Sequence, residues 1–235
     1  MEDVMLEDNL REVQRKIEEA CSRSGRSAED VTLCAVSKTK PNEDILTLYN
    51  AGQRDFGENY IQELRKKHEE LPKDIRWHMI GHLQRNKVKY IAEYISMIHS
   101  VDSFELAQTI EKEAAKYDRV IPILIEVNIA GEDTKFGVTA EDAETLIREI
   151  SRLPHVQVRG LMTSAPFVSD PEEDRIHFRN LAHLSVDIAN KNIDNVTVDV
   201  LSMGMSNDYE VALEEGATIV RVGTSIFGKR DYPAK

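Results

Sequence analysis

Eight short runs of strand-forming residues alternate along this chain with helix-length amphipathic segments, and that alternation constrains the fold more than any other feature. The runs fall at 31–38, 54–57, 75–80, 97–101, 121–129, 156–162, 196–201 and 218–222. Apolar residues at three- and four-residue spacing mark helices between them, as at 86–94, 140–150, 174–190 and 207–214, and a further amphipathic stretch at 6–24 precedes the first strand. Pro41-Asn42-Glu43-Asp44 and Asp102-Ser103 read as helix starts, by proline, acidic residues and a capping hydroxyl. Eight strand–helix units in 235 residues, without a Pro-, Gly- or Ser-rich linker, predict a (β/α)8 TIM barrel. It would span 1–235 as a single domain with an extra N-terminal helix. The alternative is an open doubly wound sheet, which usually has fewer strands and often a Gly-rich first turn. Neither G-x-G-x-x-G nor G-x-x-x-x-G-K-[ST] occurs here.

In such barrels function gathers at the C-terminal ends of the strands. The first run, VTLCAVSK, ends there on Lys38, and strand alternation puts Lys38 on one face with Val36, Cys34 and Thr32. A lysine that ends an edge strand in water is the bland alternative. The stretches after strands 7 and 8, Ser202 to Asp208 and Gly223 to Gly228, combine glycine with hydroxyl residues, a composition suited to holding phosphate or to ordinary turns. Arg221 interrupts the apolar run TIVRVG, and the cheapest placement for its charge is inward, near the barrel mouth. An amine, a guanidinium and a phosphate cup together suit pyridoxal 5'-phosphate, which has an aldehyde, a ring nitrogen and a phosphate.

A net charge of -12 opposes nonspecific binding to nucleic acid or to an anionic membrane. The N-terminus MEDVMLEDNL lacks the basic and apolar regions of a secretion signal, and no run approaches the length of a membrane span. A cytoplasmic monomer with Cys21 and Cys34 reduced is therefore expected, with neither nucleic acid nor membrane as a partner.

AVSKTKP (35–41), FGENYIQE (56–63), WHMIGHLQRNK (77–87), HSVDS (99–103), GLMTSAP (160–166), LSMGMSNDYEVALEEGAT (201–218) and RVGTSIFG (221–228) closely resemble the pyridoxal phosphate homeostasis protein family, the YggS/PROSC group. The resemblance covers nearly the whole chain. It implies a barrel related to the N-terminal domain of alanine racemase, with the cofactor held as a lysine aldimine. By motif, Lys38 would be the Schiff-base lysine and Arg221 the partner of the ring nitrogen. Ser206, Gly223 and Thr224 would bind phosphate, with Asn59, Met203 and His82 lining the site. The segment 131–137 matches a more variable part of the family, and no role for Lys135 follows from it.

The function implied is binding, storage and delivery of the cofactor, with apo-enzymes as acceptors and no substrate turnover. Two other readings stand beside it: a small amino-acid racemase using the same cofactor, and a colourless barrel of aldolase type for another phosphorylated metabolite. His78 and His82 share a metal-like spacing, but a Gly81 turn separates them and no carboxylate completes a ligand set, so structural use is expected. Arg85, Lys87 and Lys89 read as a solvated helix face, and Glu126 and Asp199 as a candidate carboxylate pair.

Overall fold

The computed structural model describes residues 2–132 and 134–228. Eight parallel strands close into a barrel in sequence order: β1 (Thr32–Val36), β2 (Asp55–Glu58), β3 (Arg76–Met79), β4 (Met97–Val101), β5 (Ile121–Glu126), β6 (Val156–Met162), β7 (Val196–Met205) and β8 (Ile219–Val222). The helices between them are α2 (Asn42–Asn50), α3 (Ile61–Glu70), α4 (Phe104–Ala115), α5 (Ala140–Ile150), α6 (Arg175–Ala189), α7 (Tyr209–Glu214) and α8 (Thr224–Phe227), preceded by α1 (Glu2–Arg23). The TIM barrel and its extra N-terminal helix are thus as the sequence pattern implies.

Capping explains several boundaries. The hydroxyls of Ser103 and Thr139 accept from the amides of Leu106 and Asp142, and so start α4 and α5. One helix is not found where the apolar spacing places it. Between β3 and β4 the chain forms a 3-10 helix, Arg85–Tyr90, rather than an α-helix over 86–94. Arg85 and Lys89 would stack like charges one turn apart in an α-helix, whereas the tighter turn still buries Val88, Ile91, Ala92 and Ile95.

α8 is a single turn and cannot cover the outer face of β8 and β1 alone. α1 takes that place, packing against α7, α8 and α2 and burying Leu6, Leu10, Val13, Ile17 and Ala20. It is pinned there by Asn9 Nδ2 donating to Ile226 O at 2.9 Å. Arg26, just beyond its end, donates to Leu213 O at 2.9 Å and Ala217 O at 3.0 Å.

The barrel interior is partly apolar, with Cys34, Leu124, Met162, Val200 and Ile219 packed together. Beside this plug several inward positions are polar, Asp55, His78, His99, Ser202 and Arg221 among them. Gly160 marks the tightest strand contact: at φ +153, a Cβ there would lie 1.8 Å from the carbonyl oxygen of Val200 on β7. The pairing of β6 shifts register beside it on both flanks. Gly160→Ala is therefore expected to cost roughly 3 kcal/mol or more of unfolding free energy, measured by urea denaturation. A loss near 1 kcal/mol would mean the strands can separate there without penalty.

Candidate functional site

Lys38 leaves β1 at the C-terminal rim. β1 pairs with β8 so that Cys34 lies opposite Arg221 and Ala35 opposite Val222, which brings the residues after each strand to the rim side by side. There they line one cavity of about 310 Å³. Its walls include Val36, Lys38, Asn59, Ile80, Ser164, Ser206, Arg221, Gly223 and Thr224. Six of the eight residues singled out in the sequence, Lys38, Asn59, Ser206, Arg221, Gly223 and Thr224, thus meet at one place.

The other two do not. Met203 is fully buried in the main hydrophobic core, on the face of β7 opposite to Ser202, so it does not line this cavity. Strand β7 runs on past 201, with Val200 and Ser202 on the inward face and the register with β8 shifting only beyond Ser202, which leaves Met203 on the outer face. His82 stacks on Phe136, ring centroids 4.0 Å apart, in an adjoining lobe of about 550 Å³ that shares Asn59, Ile80 and Ser164 with the first. Lys135 is engaged there by the carbonyls of Ser164 at 3.1 Å and Ala165 at 2.7 Å.

At the phosphate-like end, Ser206 Oγ gathers two backbone donors, the amides of Gly223 at 3.1 Å and Ser225 at 3.3 Å. At the other end Arg221, 4% exposed, donates to Ser202 Oγ at 2.7 Å and to Thr163 O at 2.8 Å. Burial pulls its guanidinium below the ordinary arginine value, and the nearby Glu126 and Asp208 oppose that shift.

Arg221 also heads a chain of buried hydrogen bonds that the sequence did not reveal. Ser202 Oγ bonds to His99 Nδ1 at 2.8 Å, His99 Nε2 to His78 Nδ1 at 2.9 Å, and His78 Nε2 to Asp55 Oδ1 at 3.0 Å. Arg76 closes it with bonds of 2.9 and 2.5 Å to the Asp55 carboxylate. At its ends a guanidinium donates and a carboxylate accepts. A run in which Ser202 donates to His99, His99 through Nε2 to His78, and His78 through Nε2 to Asp55 satisfies each of these atoms. Burial holds His99 well below the usual histidine value, which favours its neutral ring. Burial would raise the Asp55 carboxyl, but His78 and Arg76 hold it below the ordinary value. His78 is thus structural, and no group of three metal-ligating residues occurs among the described residues.

The expected pairing of Glu126 with Asp199 is not present. Asp199 bonds to Arg159, at 2.5 Å for its closer contact, away from the site. Glu126 faces the adjoining lobe, where burial, with the charge of Asp102, pushes its carboxyl up to about 7.

Behind the 205–208 turn lies a second carboxyl pair. Asp174 is fully buried with no donor to either oxygen, beside Asp208, whose Oδ1 accepts from the Met205 amide at 2.5 Å. Burial and then Asp208 push Asp174 up to about 6 from 3.8. An acid raised in this way stabilises the fold only while protonated. Its contribution is full below about pH 4 and is lost as pH rises through about 6, up to about 3 kcal/mol. Asp174→Asn should therefore be about 1–3 kcal/mol more stable than the parent at pH 8 and equal to it near pH 4, by urea denaturation at each pH. A difference independent of pH would mean that Asp174 does not titrate in this range.

The sequence pattern of the alanine racemase N-terminal domain family matches residues 6–231. A pyridoxal phosphate homeostasis protein of Aquifex aeolicus is 46% identical over 226 residues, covering 96% of this chain and 98% of that protein. The protein of that name from Vibrio cholerae is 41% identical over 234 residues, covering 97% of each. Among solved structures, an unknown protein from Bifidobacterium adolescentis is 33% identical, with a TM-score of 0.91 over 96% of each chain. PipY of Synechococcus elongatus, solved with PLP bound, is 35% identical with a TM-score of 0.79, covering 91% of this chain and 100% of that one. Alanine racemase from Clostridium difficile shares the fold at 17% identity and a TM-score of 0.72, and this chain covers 58% of it.

Proposed function

This chain belongs to the alanine racemase N-terminal domain family, in its pyridoxal phosphate homeostasis group, and from that premise we propose that it binds pyridoxal 5'-phosphate through Lys38 and carries it for other proteins in the cytoplasm without turning over a substrate. The observation that carries the reading is the convergence of three unlike groups on one cavity: an amine, a guanidinium, and a cluster of hydroxyls and amides. These are the groups that an aldehyde, a ring nitrogen and a phosphate call for, and a cavity of about 310 Å³ lies in the range of small-ligand sites. The PLP-bound PipY structure supports the choice of cofactor.

When bound, the cofactor supplies an electrophilic aldehyde carbon and an electron-withdrawing ring. Lys38 supplies the tethering amine. Ser206, Gly223 and Thr224 would hold the phosphate, and Asn59 and Val36 would wall the ring. Arg221 would donate to the ring nitrogen but cannot hand over its proton, and so would withhold the protonation on which carbanion chemistry draws. That favours holding the cofactor over racemisation.

Borohydride reduction of the loaded protein followed by peptide mapping should place the pyridoxyl group on Lys38. A label on Lys40 or Lys135 would overturn the assignment. Both of those amines already donate to backbone carbonyls, Lys40 to Phe227 O at 2.8 Å and Lys135 to Ser164 and Ala165.

The phosphate subsite has its own measurement. Charge-assisted hydrogen bonds contribute roughly 1.5–3 kcal/mol each. Replacing Ser206 and Thr224 together by alanine should weaken pyridoxal phosphate far more than unphosphorylated pyridoxal, by titration of the absorbance of the bound cofactor. Equal losses for the two ligands would put the phosphate elsewhere.

A further inference from the structure

The turn that presents Lys38 has an unfavourable backbone. Thr39 sits at φ 64, in the left-handed region, which a β-branched residue rarely enters. Such a conformation persists only where its surroundings over-determine it. Three contacts do so here. The Lys40 amide closes the turn on Ser37 O at 3.0 Å, the Thr39 amide donates to Glu63 Oε2 at 2.7 Å, and Lys67 Nζ donates to Ser37 O at 2.7 Å.

A buried cluster stands behind them. Lys67 Nζ lies 2.7 Å from Glu58 Oε1 and 3.2 Å from Glu63 Oε2, and Ser37 Oγ donates to the same Glu58 oxygen at 2.6 Å. Ser37 and Glu58 are fully buried and Lys67 is 5% exposed. An ion pair in such a place is a poor source of stability, since desolvation offsets the attraction and an apolar pair of similar volume commonly holds a fold as well. What the charged pair adds is direction. Its donor and acceptor are aimed at the carbonyl and the hydroxyl of Ser37, the residue before Lys38, while Glu63 on the same helix takes the amide of the residue after it.

We propose that Glu58, Lys67 and Glu63 are positioning residues for Lys38, holding the backbone on both sides of it so that the amine meets the cavity at a fixed height above Ser206 and Thr224. None of the three lines the cavity, so they act through the lysine. The inference rests on the reading of Lys38 as the point of attachment.

Glu63 is partly exposed, so it can be changed without opening the core. Glu63→Ala removes the acceptor for the Thr39 amide, whereas Glu63→Gln keeps an oxygen there. In the alanine variant, hydrogen exchange at Thr39 of the cofactor-free protein should rise about tenfold or more. Its affinity for pyridoxal phosphate should fall about fivefold or more, with a melting temperature close to the parent's. The glutamine variant should restore both. The exchange rate reads the clamp whether or not Lys38 binds the cofactor, so a failure of that attachment, found by peptide mapping, is distinguishable from a failure of the clamp. Lys67→Met should lose both melting temperature and affinity. Adding Glu58→Leu should recover the melting temperature while affinity stays about fivefold or more below the parent. A double variant that recovers both, or Glu63→Ala with unchanged exchange and affinity, would overturn the proposal and leave the cluster a structural one.

Discussion

A guanidinium buried inside a barrel must be answered by acceptors and by negative charge in the same interior, and the strands of this protein are registered around that need. Arg221 is met directly by Ser202 and the Thr163 carbonyl, with Glu126 and Asp208 nearby, and Ser202 links it on through His99 and His78 to Asp55, which pairs with Arg76. Five strands, β2, β3, β4, β7 and β8, each contribute one member. A one-residue slip in any of them would turn its member out toward the helices and leave a polar group unpaired on each side of the gap. The relay therefore specifies register as well as holding the charge.

The same accounting separates what the sequence made legible from what it did not. Strand and helix periods fix the barrel, since eight alternations leave little other topology. The position of Lys38 follows from the two-residue period of β1, and that of Arg221 from the cost of burying it outward. The relay is absent from any such reading because its members are far apart in the chain: His99 and Ser202 are separated by 103 residues. A hint was present in the inward-facing polar residues of short apolar strands, Asp55, His78, His99 and Ser202, but alternation says which face a residue takes and not which partner it meets. Met203 shows the converse. Read as part of a loop after 201, it had no face at all; only the continuation of β7 to Met205 sets its phase, and that phase puts it in the core.

The contacts around the cavity differ in kind, and the difference locates where the site can open. Its floor, with Arg221 and Ser202, is held by buried bonds between strands, and the turn at Lys38 by bonds to α3. The wall made by the segment after β6, which carries Ser164, Pro166 and the 91% exposed Phe167, rests on less. It is tied to the phosphate end by the Asn207 bond to Val168 O at 3.1 Å. Lys135 adds two bonds to its carbonyls from the far side of the adjoining lobe. Local opening takes the route that breaks the fewest buried contacts. The wall beside Ser206 and the floor that carries the lysine and the arginine are held by separate sets of contacts.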